Sequence, residues 1–213
     1  MLKCSVSLWS ADLANLEAEI RRVEPYAERF HLDVADGHYV HNLLFFPDQI
    51  KALREHTRLP FEVHLMTTDP LSWIEPFVAA GADAIIFCFD SAAEPESVLH
   101  AIRSRGKLAG VSIGLNEEID LLEPYWEELD IVTIIGTAMG IKGASMDERV
   151  PDKIRRAREL VTARGLGTEI EADGGIRRHT VPLLHAAGAD SIVPGSLMFN
   201  DDPSAVREWL ASL

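Results

Sequence analysis

Short apolar segments alternate with longer amphipathic segments along the whole chain. Strands buried on both faces of a parallel sheet are apolar on both faces, and these segments fit that pattern. The predicted strands are Cys4–Trp9, Phe30–Asp36, Phe61–Met66, Ala84–Phe89, Leu108–Ile113, Ile131–Ile135, Thr168–Asp173 and Ser191–Pro194.

The segments between these strands have helical spacing. Leu13–Arg29, preceded by Asp12 as a candidate cap, carries apolar residues on one helical face. Glu117–Leu129 is predicted as an acidic helix that Pro124 bends or interrupts. The remaining predicted helices are Pro47–His56, a helix from Asp69-Pro70, Pro95–Ser104, a basic helix Pro151–Ala163, His179–Ala187 and Pro203–Leu213.

Eight alternations of strand and helix, joined by short connections, predict a single (β/α)8 barrel. One catalytic domain is expected to span residues 1–213, because no linker or low-complexity run interrupts the pattern. A doubly wound open sheet is the alternative. It would not by itself gather the ends of the second, third and seventh strands around one point.

Composition narrows the classes of function. The net charge of −14 repels nucleic acid and anionic membranes, so neither is an expected partner. The apolar runs are too short to span a membrane. The two cysteines lie in apolar strands, and the beginning of the chain lacks a signal-peptide layout, so a cytoplasmic location is expected.

Polar residues stand at the predicted carboxyl ends of the strands, where a barrel places its active site. His31 and Asp33 share one face of the second strand, because side chains alternate along a strand. His64 lies near the end of the third strand, and Asp173 ends the seventh. Two imidazoles and two carboxylates predict one divalent metal ion, and Zn, Fe(II), Mn and Co all suit this set.

Several motifs, in order along the chain, resemble the ribulose-phosphate 3-epimerase family. They are Ser7-Leu8, Asp12–Leu16, His31–His38, Val63–Met66, Asp173–Gly175 and Gly195-Ser196. The resemblance implies a TIM barrel of the ribulose-phosphate-binding type. It implies a metal ion, with zinc slightly favoured, on His31, Asp33, His64 and Asp173. It also implies that Asp33 and Asp173 are the acid and base, and that Gly174, Gly175, Gly195 and Ser196 cradle a phosphate.

The chemistry of such a reaction suits these residues. Inversion at C3 of a ketose requires removal of a proton beside the carbonyl and its return on the opposite face. Two carboxylates can do this, one as base and one as acid. Ribulose 5-phosphate and xylulose 5-phosphate are the default pair, and other ketose phosphates with four to six carbons are alternatives.

The loop after the sixth predicted strand departs from the family. The family usually has Pro-Gly-Phe-Gly-Gly-Gln where this chain has Met139–Ala144. Lys142 is either a solvated lysine or a cation that reaches the substrate. Five residues outside the metal and phosphate sets are expected to contact substrate: Ser7, Met66, Gly140, Lys142 and Gly143.

Two other functions remain open from the sequence. One is another sugar-phosphate barrel enzyme, such as a decarboxylase or aldol-type synthase. Those enzymes carry Asp-x-Lys-x-x-Asp, and Asp33–Asp36 lacks the lysine. The other is a sugar-phosphate-binding paralogue without catalysis. The expected partners are a small phosphorylated sugar and further copies of the chain, since apolar Leu43–Phe46 suggests a lid or subunit contact.

Overall fold

The computed structural model describes residues 2–213, and its strands form one sheet that closes into a barrel. The strands are β1 Lys3–Ser7, β2 Arg29–Asp36, β3 Leu43–Leu44, β4 Phe61–Met66, β5 Ala84–Cys88, β6 Leu108–Ile113, β7 Ile131–Ile135, β8 Glu169–Asp173 and β9 Ser191–Val193. β1 pairs in parallel with both β2 and β9, which closes the ring. β3 is an added strand, antiparallel to β2. The predicted (β/α)8 TIM barrel is confirmed.

Helices cover the outside of the barrel. They are α1 Leu16–Val23, α2 Pro47–Arg54, α3 Pro70–Ala80, α4 Pro95–Arg103, α5 Val150–Arg164, α6 Val181–Ala187, α7 Ser196–Asn200 and α8 Pro203–Ala211. Prolines open several of them, where the missing N–H costs nothing. Large apolar side chains, Phe30, Phe61, Phe77 and Phe87 among them, are fully buried. None of the helices within residues 2–213 has the length and hydrophobicity of a transmembrane span.

Two predicted helices were wrong in extent or kind. The helix predicted over Leu13–Arg29 covers only Leu16–Val23, because Pro25 turns the chain into a 3₁₀ segment before β2 begins. The helix predicted over Glu117–Leu129 is absent. Two short 3₁₀ segments, Ile119–Leu122 and Trp126–Glu128, lie on either side of Pro124.

The register of the strands positions the polar residues inside the barrel. Asp33 of β2 pairs with His64 of β4, and Ile135 of β7 pairs with Asp173 of β8. Side chains two residues apart share a face of their strand. The inward face of β2 therefore carries Arg29, His31 and Asp33 in succession, from the interior of the barrel toward its rim.

Candidate active site

Four side chains meet at the carboxyl end of the barrel. The candidate ligand atoms of His31, Asp33, His64 and Asp173 all lie within 4.8 Å of one another. His31 Nε2 is 3.4 Å and His64 Nδ1 is 3.8 Å from Asp33 Oδ1. We call these four residues the His/Asp cluster. The residues that the sequence predicted as metal ligands are thus close enough together to share one ion.

Each histidine of the cluster is oriented by a hydrogen bond on its far side. His31 Nδ1 lies 2.8 Å from Glu62 Oε1, and His64 Nε2 lies 3.0 Å from Ser112 Oγ. The opposite nitrogens, His31 Nε2 and His64 Nδ1, are buried and have no hydrogen-bond partner. Buried ring nitrogens without a partner are costly unless they ligate a cation. This donor set therefore fits a divalent metal ion.

A buried charged network supports the cluster from below. Glu62 Oε1 accepts a hydrogen bond from Ser5 Oγ at 2.8 Å, and Glu62 Oε2 lies 2.7 Å from Arg29 Nε. A second nitrogen of Arg29 lies 2.8 Å from Glu171, whose other oxygen accepts from Thr133 at 3.0 Å. Arg29 lies between the two carboxylates and is already their cationic partner, so His31, Glu62 and Glu171 do not form a second free cation site.

Sequence reasoning missed this network, although a signal for it was present. Glu62 and Glu171 each stand two residues before a residue of the cluster, His64 and Asp173. On a strand, that spacing puts both members of each pair on the same face. A carboxylate behind a metal-binding histidine is also the usual arrangement for fixing its ring.

The surroundings shift the pKa values of the two carboxyls of the cluster in opposite directions. Burial opposes charge on Asp33, but His31 and His64 outweigh it and hold the pKa of Asp33 well below its ordinary value. Burial raises the pKa of Asp173, although His31 opposes the shift, and neighbouring Asp33 raises it further. Asp33 is therefore the more readily ionised of the two, and Asp173 the better proton carrier.

The electrostatic field of the cluster attracts positive charge. Burial disfavours the charged form of His31, yet the Asp33 carboxylate raises the pKa of His31 well above its ordinary value. The pKa of His64 is raised to about 10, because the nearby Asp33 carboxylate outweighs the cost of burial. A site that holds protons this strongly also suits a divalent cation in their place.

A cavity of about 440 Å³ opens above the cluster, and Asp33, His64 and Asp173 form part of its wall. His31 is fully buried below it. All nine residues predicted to contact substrate or phosphate line this cavity: Ser7, Met66, Gly140, Lys142, Gly143, Gly174, Gly175, Gly195 and Ser196. Asp33 is also fixed here, since Ser7 Oγ donates to its Oδ2 at 2.7 Å.

The turn after β8 depends on two glycines. Gly174 and Gly175 have φ of 89° and 70°, a region that side chains rarely adopt. A Cβ at Gly174 would lie 2.7 Å from Thr137 Oγ1, and one at Gly175 would lie 2.7 Å from Met146 Cα. The turn therefore requires glycine at both positions, and its bare backbone faces the cavity.

The structure places further residues in the wall of the cavity and assigns Asp36 a different role. Trp9, Ser10, Thr137, Arg177 and Asn200 line the cavity, and no sequence motif pointed to them. Asp36, the last residue of the second predicted strand, is not part of the cluster. Its carboxylate instead accepts backbone N–H groups of His38, Tyr39 and Thr68, each at 2.8 Å, and shapes the turn.

Comparison with known proteins identifies the family. The profile of the ribulose-phosphate 3 epimerase family matches residues 3–199. The chain belongs to this family. It is 37% identical over 195 residues to the ribulose-phosphate 3-epimerase of Treponema pallidum, covering 91% of this chain and 89% of that one. It is 33% identical over 212 residues to the enzyme of that name from Bacillus subtilis, covering 98% of each chain.

Solved structures support the fold. A crystal structure of 3-keto-L-gulonate-6-phosphate decarboxylase from Vibrio cholerae superposes with a TM-score of 0.75 at 16% identity, covering 99% of this chain and 95% of that one. A mutant tryptophan synthase α-subunit from Pyrococcus furiosus gives 0.66 at 17% identity, covering 99% and 94%. At such identities the likeness concerns the barrel alone.

Membership of the family fixes the general class of activity. The protein is an isomerase, an epimerase that acts on carbohydrates, and its substrate is a small phosphorylated sugar. The family uses a divalent metal ion, and the His/Asp cluster offers a place for one. The loop at Met139–Ala144, where the chain departs from the family's usual sequence, lies in the wall of the cavity.

Proposed function

We propose that the protein is a metal-dependent epimerase that inverts C3 of a ketose phosphate, with Asp33 and Asp173 as the acid and base. The observation that carries the proposal is the His/Asp cluster at the end of the cavity, with two buried ring nitrogens that have no partner. Ribulose 5-phosphate and xylulose 5-phosphate are the expected substrate and product, because relatives that cover nearly the whole chain bear the name ribulose-phosphate 3-epimerase.

The metal ion in this proposal is held by His31, Asp33, His64 and Asp173. A divalent cation there would stabilise the negative charge that develops on the substrate's oxygens. The mixed nitrogen and oxygen donors suit Zn, Fe(II), Mn or Co, and zinc is slightly favoured among them. Glu62 supports this assignment, because its carboxylate accepts from His31 Nδ1 and leaves Nε2 to ligate, and Ser112 Oγ can accept from His64 Nε2 in the same way.

Proton transfer is assigned to the two carboxyls. Asp33 and Asp173 come from β2 and β8, which are separated in the barrel by β1 and β9. That separation lets a sugar carbon lie between the two groups, with one on each face. The lowered pKa of Asp33 favours it as the base and the raised pKa of Asp173 favours it as the acid, and the roles exchange for the opposite epimer.

The phosphate is assigned to the turns at Gly174-Gly175 and Gly195-Ser196. Both turns line the cavity, and their backbone N–H groups can bind an anion without a basic patch. Local binding of this kind is needed because the net charge of −14 otherwise repels a phosphate ester. Lys142 lines the same cavity and adds a positive charge. The altered loop at Met139–Ala144 is the reason to keep four- and six-carbon ketose phosphates as competing substrates.

Location and assembly are further parts of the proposal. Cys4 and Cys88 are buried free thiols, which supports a reducing compartment such as the cytoplasm. Leu43 and Phe46 are 78% and 57% exposed, which supports a contact between copies in a homo-oligomer. Sedimentation of the wild type against a Leu43→Ser, Phe46→Ser double variant tests the assembly, and a wild-type monomer contradicts it.

Exchange of solvent deuterium into C3 tests the proposed reaction. Wild-type protein loaded with metal, given a panel of four-, five- and six-carbon ketose phosphates in D2O, should label at least one of them at C3. Asp33→Asn and Asp173→Asn should each abolish net epimerisation, because each removes one of the two proton-transfer groups. NMR follows loss of the C3 proton signal.

Asp48→Asn is the matched control, since Asp48 is an exposed carboxylate on α2 outside the cavity. It should exchange at the wild-type rate. Circular dichroism shows whether each variant keeps the barrel. Full exchange in both cluster variants would defeat the acid and base assignment, and binding of ketose phosphates without any exchange would favour the paralogue that lacks catalysis.

A further inference from the structure

The cavity contains two cations that no carboxylate neutralises. Lys142 and Arg177 line it, and among residues 2–213 neither has a carboxylate oxygen within 4.0 Å. Lys142 Nζ donates to the Trp9 carbonyl at 2.9 Å. Arg177 donates through one guanidinium nitrogen to the Ile176 carbonyl at 2.8 Å. A guanidinium has five N–H donors, so most of those on Arg177 remain available.

Arg177 is unusual for an arginine of this chain. Its neighbour Arg178 lies 3.2 Å from Asp201 and 5.1 Å from the ring centre of Trp209, and Arg178 does not line the cavity. Most other arginines also pair with acidic side chains, as expected in a protein with a net charge of −14. An unpaired, half-buried guanidinium therefore suggests that its partner is a ligand.

The backbone around Arg177 holds it next to the glycine turn. The Arg177 N–H donates to Thr180 Oγ1 at 2.9 Å, and Thr180 Oγ1 lies 2.9 Å from the Gly175 carbonyl. Thr180 is buried, so this connection is shielded from water. Arg177 thus follows the Gly174-Gly175 turn by two residues on a fixed backbone path, which keeps the base of its side chain beside that turn.

We propose that Arg177 is a specificity-determining residue that binds the phosphate group of the substrate, with Lys142 as a second side-chain cation. This inference rests on the proposed function, in which the glycine turns hold that phosphate. A phosphate monoester is close to a dianion at neutral pH. Two full positive charges balance it, whereas backbone N–H groups supply only partial charge.

The proposal has a consequence for substrate choice. The same cavity is also lined by the acidic Asp33 and Asp173, and the whole chain carries a net negative charge. Without side-chain cations, the field around the cavity would oppose entry of a dianion. Arg177 and Lys142 should therefore make binding depend on a dianionic group, and neutral ketoses of the same length should bind poorly.

Inorganic phosphate is the probe that isolates this contact. Its affinity for the metal-loaded protein is measured by calorimetry, and its inhibition of the epimerase by competition. Arg177→Gln should weaken phosphate binding at least tenfold and raise KM by a similar factor, with kcat within threefold of wild type. A binding interaction that is equal in ground and transition states changes KM and leaves kcat unchanged.

Arg178→Gln is the matched control, because it removes the neighbouring guanidinium from a surface pair outside the cavity. It should bind phosphate within twofold of wild type. Arg177→Lys should recover part of the affinity, since it restores the charge without the planar fork. Phosphate binding by Arg177→Gln within twofold of wild type, in protein shown to be folded by circular dichroism, overturns the proposal.

The experiment separates this inference from the proposed function. If phosphate binding falls in Arg177→Gln while no ketose phosphate exchanges deuterium at C3 in the wild type, the phosphate contact stands and the proposed reaction fails. If exchange occurs and Arg177→Gln behaves as wild type toward phosphate and substrate, the reaction stands and the role of Arg177 is overturned.

Discussion

His31 is oriented by a carboxylate that never reaches the cavity. Glu62 is fully buried and accepts a hydrogen bond from His31 Nδ1, while Ser5 and Arg29 hold Glu62 itself in place. The ring nitrogen that faces Asp33 is therefore the one available to ligate a cation in place of a proton. At the scale of single residues, the site depends as much on this support as on the four residues of the His/Asp cluster.

Replacing Glu62 by Gln tests that support. Gln keeps the size of the side chain but offers His31 a neutral acceptor, which lowers the basicity of the ring. We expect the affinity for Zn²⁺ to fall roughly 10-fold. Competition with a chromophoric chelator measures it. Glu75→Gln, a change in a surface pair with Arg105, should leave the affinity unchanged. Equal affinities in wild type and Glu62→Gln would show that Glu62 does not act through His31.

Glu169 lies at the outer end of the same network and should make the stability of the fold depend on pH. Burial raises its pKa, but the ion pair with Arg29 outweighs that and lowers the pKa to about 2, against an ordinary value of 4.5. A depressed pKa stabilises the fold at pH values above 4.5, and this stabilisation is lost as pH falls through about 2.

Glu169→Gln should therefore be less stable than wild type by about 1–2 kcal/mol at pH 7. The difference should shrink between pH 4.5 and 2, where wild type itself becomes protonated. Urea unfolding at several pH values checks this, with the exposed Glu148→Gln as the control. A difference that stays constant down to pH 2 would mean that the ion pair does not cause it.

Elements are held together by a buried lysine as well as by apolar packing. Lys153 of α5 is only 8% exposed, and its Nζ donates to the carbonyls of Gly114, Leu115 and Glu117 at 2.7, 2.8 and 2.6 Å. These carbonyls belong to the segment that follows β6. The lysine thus fixes that segment, in which only short 3₁₀ turns form, against α5.

Lys153→Met should leave three carbonyls without their donor and destabilise the fold by roughly 2–3 kcal/mol. Denaturation with urea measures the change. Arg155→Met is the matched control on the same helix, because Arg155 makes only a surface pair with Asp152, and it should cost less than about 0.5 kcal/mol. A loss no larger than that of the control would show that the segment is held by other contacts.

The same region shows why the sequence predicts some elements better than others. The helix predicted over Pro151–Ala163 forms as α5, Val150–Arg164, because its apolar period is unbroken. The helix predicted over Glu117–Leu129 does not form. Pro124 allows only short 3₁₀ turns, and contacts such as those of Lys153 decide their path. Contacts between distant elements of this kind are not visible in local periodicity.

Across the whole molecule, the sequence predicted the barrel and the neighbourhood of the His/Asp cluster because both follow from regular rules. Parallel strands end on the same side of a barrel, so polar residues at their ends must lie near one another. The environment of Arg177 could not be predicted, because whether an arginine is paired depends on residues far away in the chain. Arg178 is paired and Arg177 is not, although the two are adjacent.

In the proposed mechanism, the barrel brings one carboxyl from β2 and one from β8 to opposite faces of the same substrate carbon. The isotope content of the first product formed in D2O tests this most directly, measured by mass spectrometry at low conversion. Two separate groups, Asp33 and Asp173, should give product that carries solvent deuterium at C3 in essentially every molecule. Product that retains the substrate's own hydrogen at C3 would contradict the account, because it would mean that a single group removes and returns the same proton.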